Sequence, residues 1–141
     1  MSNIIEQKNR LVEYFATATD WEEKYQLLID LGRQIQPLSD SEKIEDNRIK
    51  QCTSRLWVVG HCVDGKMFYR ASSDSQIVAG LIAIPITIFN GQPPQEVVNF
   101  NIDWLKEFDL QEHILSTRLT GLEAGINRIK NIAKMYFTVA N

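Results

Sequence analysis

Apolar residues recur along much of the chain at the three- and four-residue spacing of helices. Over residues 4–16, Ile4, Leu11 and Phe15 share one helical face. Asp20 is placed to cap a second helix, with Glu23 three positions on completing a capping-box pattern. That helix is expected to bury Trp21, Tyr25, Leu28 and Leu31 and to stop at Gly32. Residues 36–47 are polar, carry Pro37 near their start, and read as a surface connection.

The pattern then becomes strand-like. Residues 56–62 are rich in β-branched and aromatic side chains, and residues 67–70 follow after an Asp64-Gly65 turn, which predicts a hairpin. A third strand over residues 48–50 would put Gln51, Cys52, Thr53 and Ser54 at a tight turn and lift Cys52 out of the ladder. Residues 72–75 offer several caps for an apolar helix over 76–89, in which Pro85 predicts a kink or an early end. Asn90-Gly91 closes that segment. Pro93-Pro94 opens a short helical turn bearing Val97 and Val98, and a small amphipathic piece covers residues 103–108. In the last helix Leu119, Leu122, Ile126, Ile129, Ala133 and Tyr136 form one continuous stripe. A capping-box pair, Thr120 and Glu123, puts its start just after Thr120, with Arg118 in the entering loop. The order of helices, hairpin, helices predicts a single α+β domain over residues 1–141. Its small antiparallel sheet, of about three strands, packs against helices.

Composition narrows the partners. The chain of 141 residues is 44% apolar and 23% charged, ordinary proportions for a globular domain. A net charge of −3 with scattered lysines and arginines excludes a nucleic-acid backbone as the expected partner. The longest apolar segment, 77–89, falls short of the roughly 20 residues that span a membrane. The first residues lack the apolar stretch of a secretion signal, and two cysteines make no disulfide framework, so a reducing cytoplasm is the expected location.

Cys52 is the first candidate for chemistry. A thiol is nucleophilic as its thiolate, which cations favour, and Lys50 and Arg55 lie close in sequence. From the residues alone two readings stand, a reactive thiol or a small buried hydrophobe. Cys62 alternates with Leu56, Val58 and Gly60 along a strand and reads as structural. A Cys–His hydrolase would need His61 or His113 beside Cys52, but strand rise puts His61 some 20 Å away. Cys52, His61, Cys62 and His113 lack the paired spacings of a zinc site, so no metal is expected. No dinucleotide fingerprint, phosphate-binding loop or nucleophile elbow occurs. Asp74 reads as a cap. Arg118 beside a helix start is electrostatically unfavourable for a cation, which an anion brought nearby would explain.

Taken in order, these pieces resemble the SufE family of sulfur-acceptor proteins, including its CsdE-type relatives. The resemblance runs from Asp20 into the last helix. It is carried by Trp21-Glu22-Glu23-Lys24-Tyr25, Leu31-Gly32, residues 49–57 (IKQCTSRLW), Ser73-Asp74, Ile77-Val78 and Gly80-Leu81-Ile82-Ala83. Ser116, Arg118 and Gly121-Leu122-Glu123-Ala124 complete it. It implies a SufE/IscU-like fold and a carrier that is not itself an enzyme. Cys52 would take persulfide sulfur from a PLP-dependent cysteine desulfurase of the SufS or CsdA type, stimulate it, and pass the sulfur to an iron–sulfur scaffold or another acceptor. Gln51, Ser54, Arg55, Asp74 and Arg118 would support that cysteine. No cofactor is implied for this chain, since the PLP belongs to the desulfurase, and either a monomer or a homodimer fits. Two positions depart from the family pattern. Gln51 stands where the family has glycine, which implies a stiffer or differently shaped loop, and Pro85 replaces an aliphatic residue. The rival readings are an interaction module that regulates a desulfurase without carrying sulfur, and a stand-alone thiol enzyme. The latter would need a base or a second thiol beside Cys52, and the chain has no CxxC.

Overall fold

The computed structural model describes residues 3–101, 103–110, 114 and 116–139. Its elements run α1 (Ile4–Ala16), α2 (Trp21–Gln34), β1 (Leu56–Val63), β2 (Lys66–Ser73), α3 (Gln76–Phe89), α4 (Pro94–Asn99), α5 (Trp104–Glu107) and α6 (Ser116–Val139). The architecture is α+β, a small antiparallel sheet packed on helices, as the order of elements predicts.

The helix α3 is the centre of the molecule. Its sequence is apolar all round, and a helix of that kind has to be covered on every side. Eleven of its residues, from Ile77 to Phe89, are buried. It packs against α1, α2, β2 and α6. Ser75 caps it, its hydroxyl accepting from the Val78 N–H at 3.3 Å. Pro85 does not end the helix, which continues to Phe89. Removing one backbone bond inside a fully buried helix is offset by apolar packing on all its faces.

Gly32 likewise does not stop α2, which runs on to Gln34. A Cβ at Gly32 would lie 2.8 Å from the Gly80 backbone nitrogen, and one at Gly80 would collide with the Leu28 carbonyl oxygen. The two glycines let α2 and α3 touch backbone to backbone. Asp20 caps α2 as expected, its carboxylate accepting from the Glu23 N–H at 2.8 Å. Leu28 and Leu31 are buried, while Trp21 and Tyr25 are only partly covered.

The hairpin pairs Leu56 with Ser73 through Val63 with Lys66, and the turn residues Asp64 and Gly65 both take positive φ, at 52° and 78°. One face, carrying Leu56, Val58, Met67, Tyr69 and Ala71, enters the core. Among the described residues the sheet has two strands, not about three. The expected third strand shrinks to a single bridge between Arg48 and Trp57, because the chain turns away at Lys50 before a ladder can form. Residues 36–47 form a connection with two short 3-10 turns, Asp40–Glu42 and Glu45–Asn47. Glu42 anchors it by pairing with Arg70 on β2.

The helix α6 covers β1. Leu122, Ile126, Ile129 and Ala133 of its stripe are buried, and Leu119 and Tyr136 are half-buried. The Tyr69 hydroxyl donates to the Ile129 carbonyl at 2.9 Å, and Arg128 donates to the Val58 carbonyl at 2.7 Å. The helix starts at Ser116, so Thr120 lies inside it and is no cap, and Arg118 belongs to its first turn instead of an entering loop. Among the described residues no helix is long and apolar enough to cross a membrane.

Candidate functional site

The segment between Arg48 and Trp57 is a short turn tied down at both stems. At one end the Ile49 N–H donates to the Leu56 carbonyl at 2.8 Å, and the Cys52 N–H to the Ile49 carbonyl at 3.3 Å. At the other the Arg55 N–H donates to the Asp74 carboxylate at 3.0 Å, while the Arg55 carbonyl accepts from the Ser73 hydroxyl at 2.6 Å and the Asp74 N–H at 3.3 Å. Asp74 therefore holds the turn and does not cap α3, a task that falls to Ser75. The turn departs from the sheet, as expected.

Its cysteine is nonetheless covered. Cys52 is 5% exposed and lies against α6 at Gly121. A Cβ at Gly121 would stand 2.8 Å from the Cys52 Sγ and 3.0 Å from its Cβ, so the thiol rests directly on helix backbone. Burial raises the thiol pKa above its ordinary value and the Asp74 charge adds to the rise; the Ser54 backbone N–H, which donates to the sulfur, and the Arg48 charge oppose it. In this closed arrangement the sulfur is held as the thiol. The expectation that Lys50 and Arg55 would bring a cation to the sulfur is corrected. Both residues are exposed, and Arg48 is the cation whose charge acts on it.

The other predicted residues divide. Ser54 contributes through its backbone amide. Gln51 is exposed and, with Lys50 and Arg48, lines a groove of about 610 Å³ against the outer side of α6. Arg118 donates to the Tyr25 hydroxyl at 3.2 Å, one helical turn before Gly121. Cys62 is half-buried against the core. His61 is exposed and pairs with Phe68 near the hairpin tip, away from Cys52 at the strand's other end. His113 lies outside the described residues.

Reasoning from sequence missed Gly121 and Arg48 as neighbours of the thiol. Only Gly121 left a signal, since a glycine inside an otherwise regular helix marks a close approach. The arrangement suits chemistry at sulfur in which a concealed thiol is released by moving a short tied turn.

The chain is similar to a hypothetical protein from Thermus thermophilus whose structure was solved in solution. The likeness covers 94% of this chain and 96% of the other at 19% identity, with a TM-score of 0.78, and it shows the fold. A family model described as "SufE: Fe-S metabolism associated domain" matches residues 9–133, a span that takes in Cys52, Asp74, Arg118 and Gly121. The chain belongs to that SufE family, associated with Fe–S metabolism.

Proposed function

We propose that the protein is a cytoplasmic sulfur acceptor that carries a persulfide on Cys52, received from a PLP-dependent cysteine desulfurase of the SufS or CsdA type. The observation that supports this reading most is the placing of Cys52 on a turn fixed at its stems by a few backbone bonds and closed by a bare helix backbone. Such a turn can open without disturbing the sheet. In the open form the sulfur escapes the burial that keeps it protonated, and its thiolate becomes available.

The transfer balances without an external oxidant. The Cys52 thiolate attacks the outer sulfur of the donor's cysteine persulfide, a new S–S bond forms on Cys52, and the donor's S–S bond breaks. The donor cysteine leaves as a thiolate and the outer sulfur keeps its proton. Draining the donor of its sulfur frees it for another turnover, so stimulation of the desulfurase follows from the same step. A second exchange delivers the sulfur to an iron–sulfur scaffold or other acceptor.

Mass spectrometry after mixing with a cysteine desulfurase, PLP and L-cysteine tests this. The Cys52 peptide gains one sulfur atom, and Cys52→Ser abolishes the gain. An unmodified Cys52 peptide recovered from an active donor would overturn the proposal. Burial of the thiol favours one rival, an interaction module in which Cys52 is incidental. Full stimulation of the desulfurase by Cys52→Ala would establish that rival.

A further inference from the structure

We infer that Gly121 is a positioning residue for Cys52: its missing side chain is the seat that lets the turn close over the thiol, and so it sets the balance between concealed and reachable sulfur. This rests on the reading of Cys52 as the reacting thiol. Glycine is disfavoured inside a helix, and Gly121 sits in the second turn of α6 with nothing in the helix itself that requires it. The requirement comes from the turn. A Cβ there would meet the Sγ at 2.8 Å, the Cβ at 3.0 Å and the Cα of Cys52 at 3.2 Å. The first is closer than real side chains come, and the other two, the backbone Cα among them, are tighter than most. A new side-chain rotamer of Cys52 relieves only the first contact, so the turn itself has to yield outward by a few tenths of an ångström, a strain on the closed form alone. Its stems at Ile49 and Arg55 can stay in place while it does.

One helical turn further on, Gly125 provides the contrast. A Cβ there would approach the Ile82 Cδ1 at 2.6 Å, the far tip of a flexible side chain that can swing aside. The two glycines look alike in sequence, yet only the first is pressed against the thiol. Gly121→Ala is therefore expected to bias the turn open, and Gly125→Ala is not.

The test is alkylation of the full chain by iodoacetamide across a pH series, followed on the Cys52 peptide, with urea denaturation of each variant. Gly121→Ala is expected to alkylate roughly tenfold faster near pH 7, with its pH midpoint moved down toward that of a free thiol. Gly125→Ala should follow the parent protein. A folded Gly121→Ala with unchanged rate and midpoint would overturn the inference. Should Gly121→Ala not fold, the cycle with Cys52→Gly decides, because that change removes the two closest atoms. Recovery of folding in the double variant supports the seat, and failure to recover it refutes it. Alkylation needs no desulfurase. A variant that alkylates faster while its parent never acquires sulfur would leave the seat standing and remove only the acceptor reading.

Discussion

At the scale of single residues, the chemistry of Cys52 depends on what covers it more than on what flanks it in sequence. The turn character of residues 51–54 and the resemblance carried by residues 49–57 made Cys52 legible as the candidate. What covers it was not legible, because Gly121 comes from a distant part of the chain, and a glycine inside a helix marks a close approach without naming what approaches. Burial is the largest influence on the thiol and raises its pKa. A raised folded-state value means that this group stabilises the fold fully below the pKa it has when unfolded and loses that contribution as pH rises through the folded value. Alkaline titration of stability should therefore show a loss in the parent protein that Cys52→Ala lacks, measured by thermal melting on the alkaline side of neutrality. Identical alkaline profiles would mean that the thiol is as accessible as in the unfolded chain.

Among the elements, existence and type were legible wherever apolar periodicity was strong. The apolar run of α3 and the stripe of α6 show this best. Boundaries failed where a residue had two possible uses. Gly32 has the look of a helix stop but serves as a contact, and the Thr120–Glu123 pair has the look of a cap but lies inside α6. At Gly32 the local signal for a helix end gives way to tertiary packing, the contact with Gly80. The crossing of α2 and α3 supplies a test. Gly80→Ala would drive a methyl group into the Leu28 carbonyl, a backbone atom that cannot turn aside. The expected cost is about 2–3 kcal/mol, as for overpacking in a tight core. Urea denaturation measures it, and a variant as stable as the parent would show that the helices separate freely.

For the whole molecule, the long connection between α2 and β1 is held through a charge. Glu42 accepts from the Ser39 N–H at 3.0 Å and pairs with Arg70 of β2. The Arg70 hydrogen bonds, followed by the Ser39 N–H, lower the Glu42 pKa from 4.5 to about 2. A depressed carboxylate contributes stability present above its unfolded value and lost as pH falls through about 2. The melting temperature should accordingly fall between pH 5 and pH 2 in the parent and fall less in Glu42→Gln. Parallel acid profiles would sever the link between this pair and the fold. The tied stems of the Cys52 turn carry a consequence of another kind, which concerns reach. Only three chain steps separate Ile49, bonded to Leu56, from Cys52. At full extension such a tether spans about 10 Å. A donor whose sulfur lies deeper than that below its own surface must carry it outward on a moving arm, because this protein cannot go in after it.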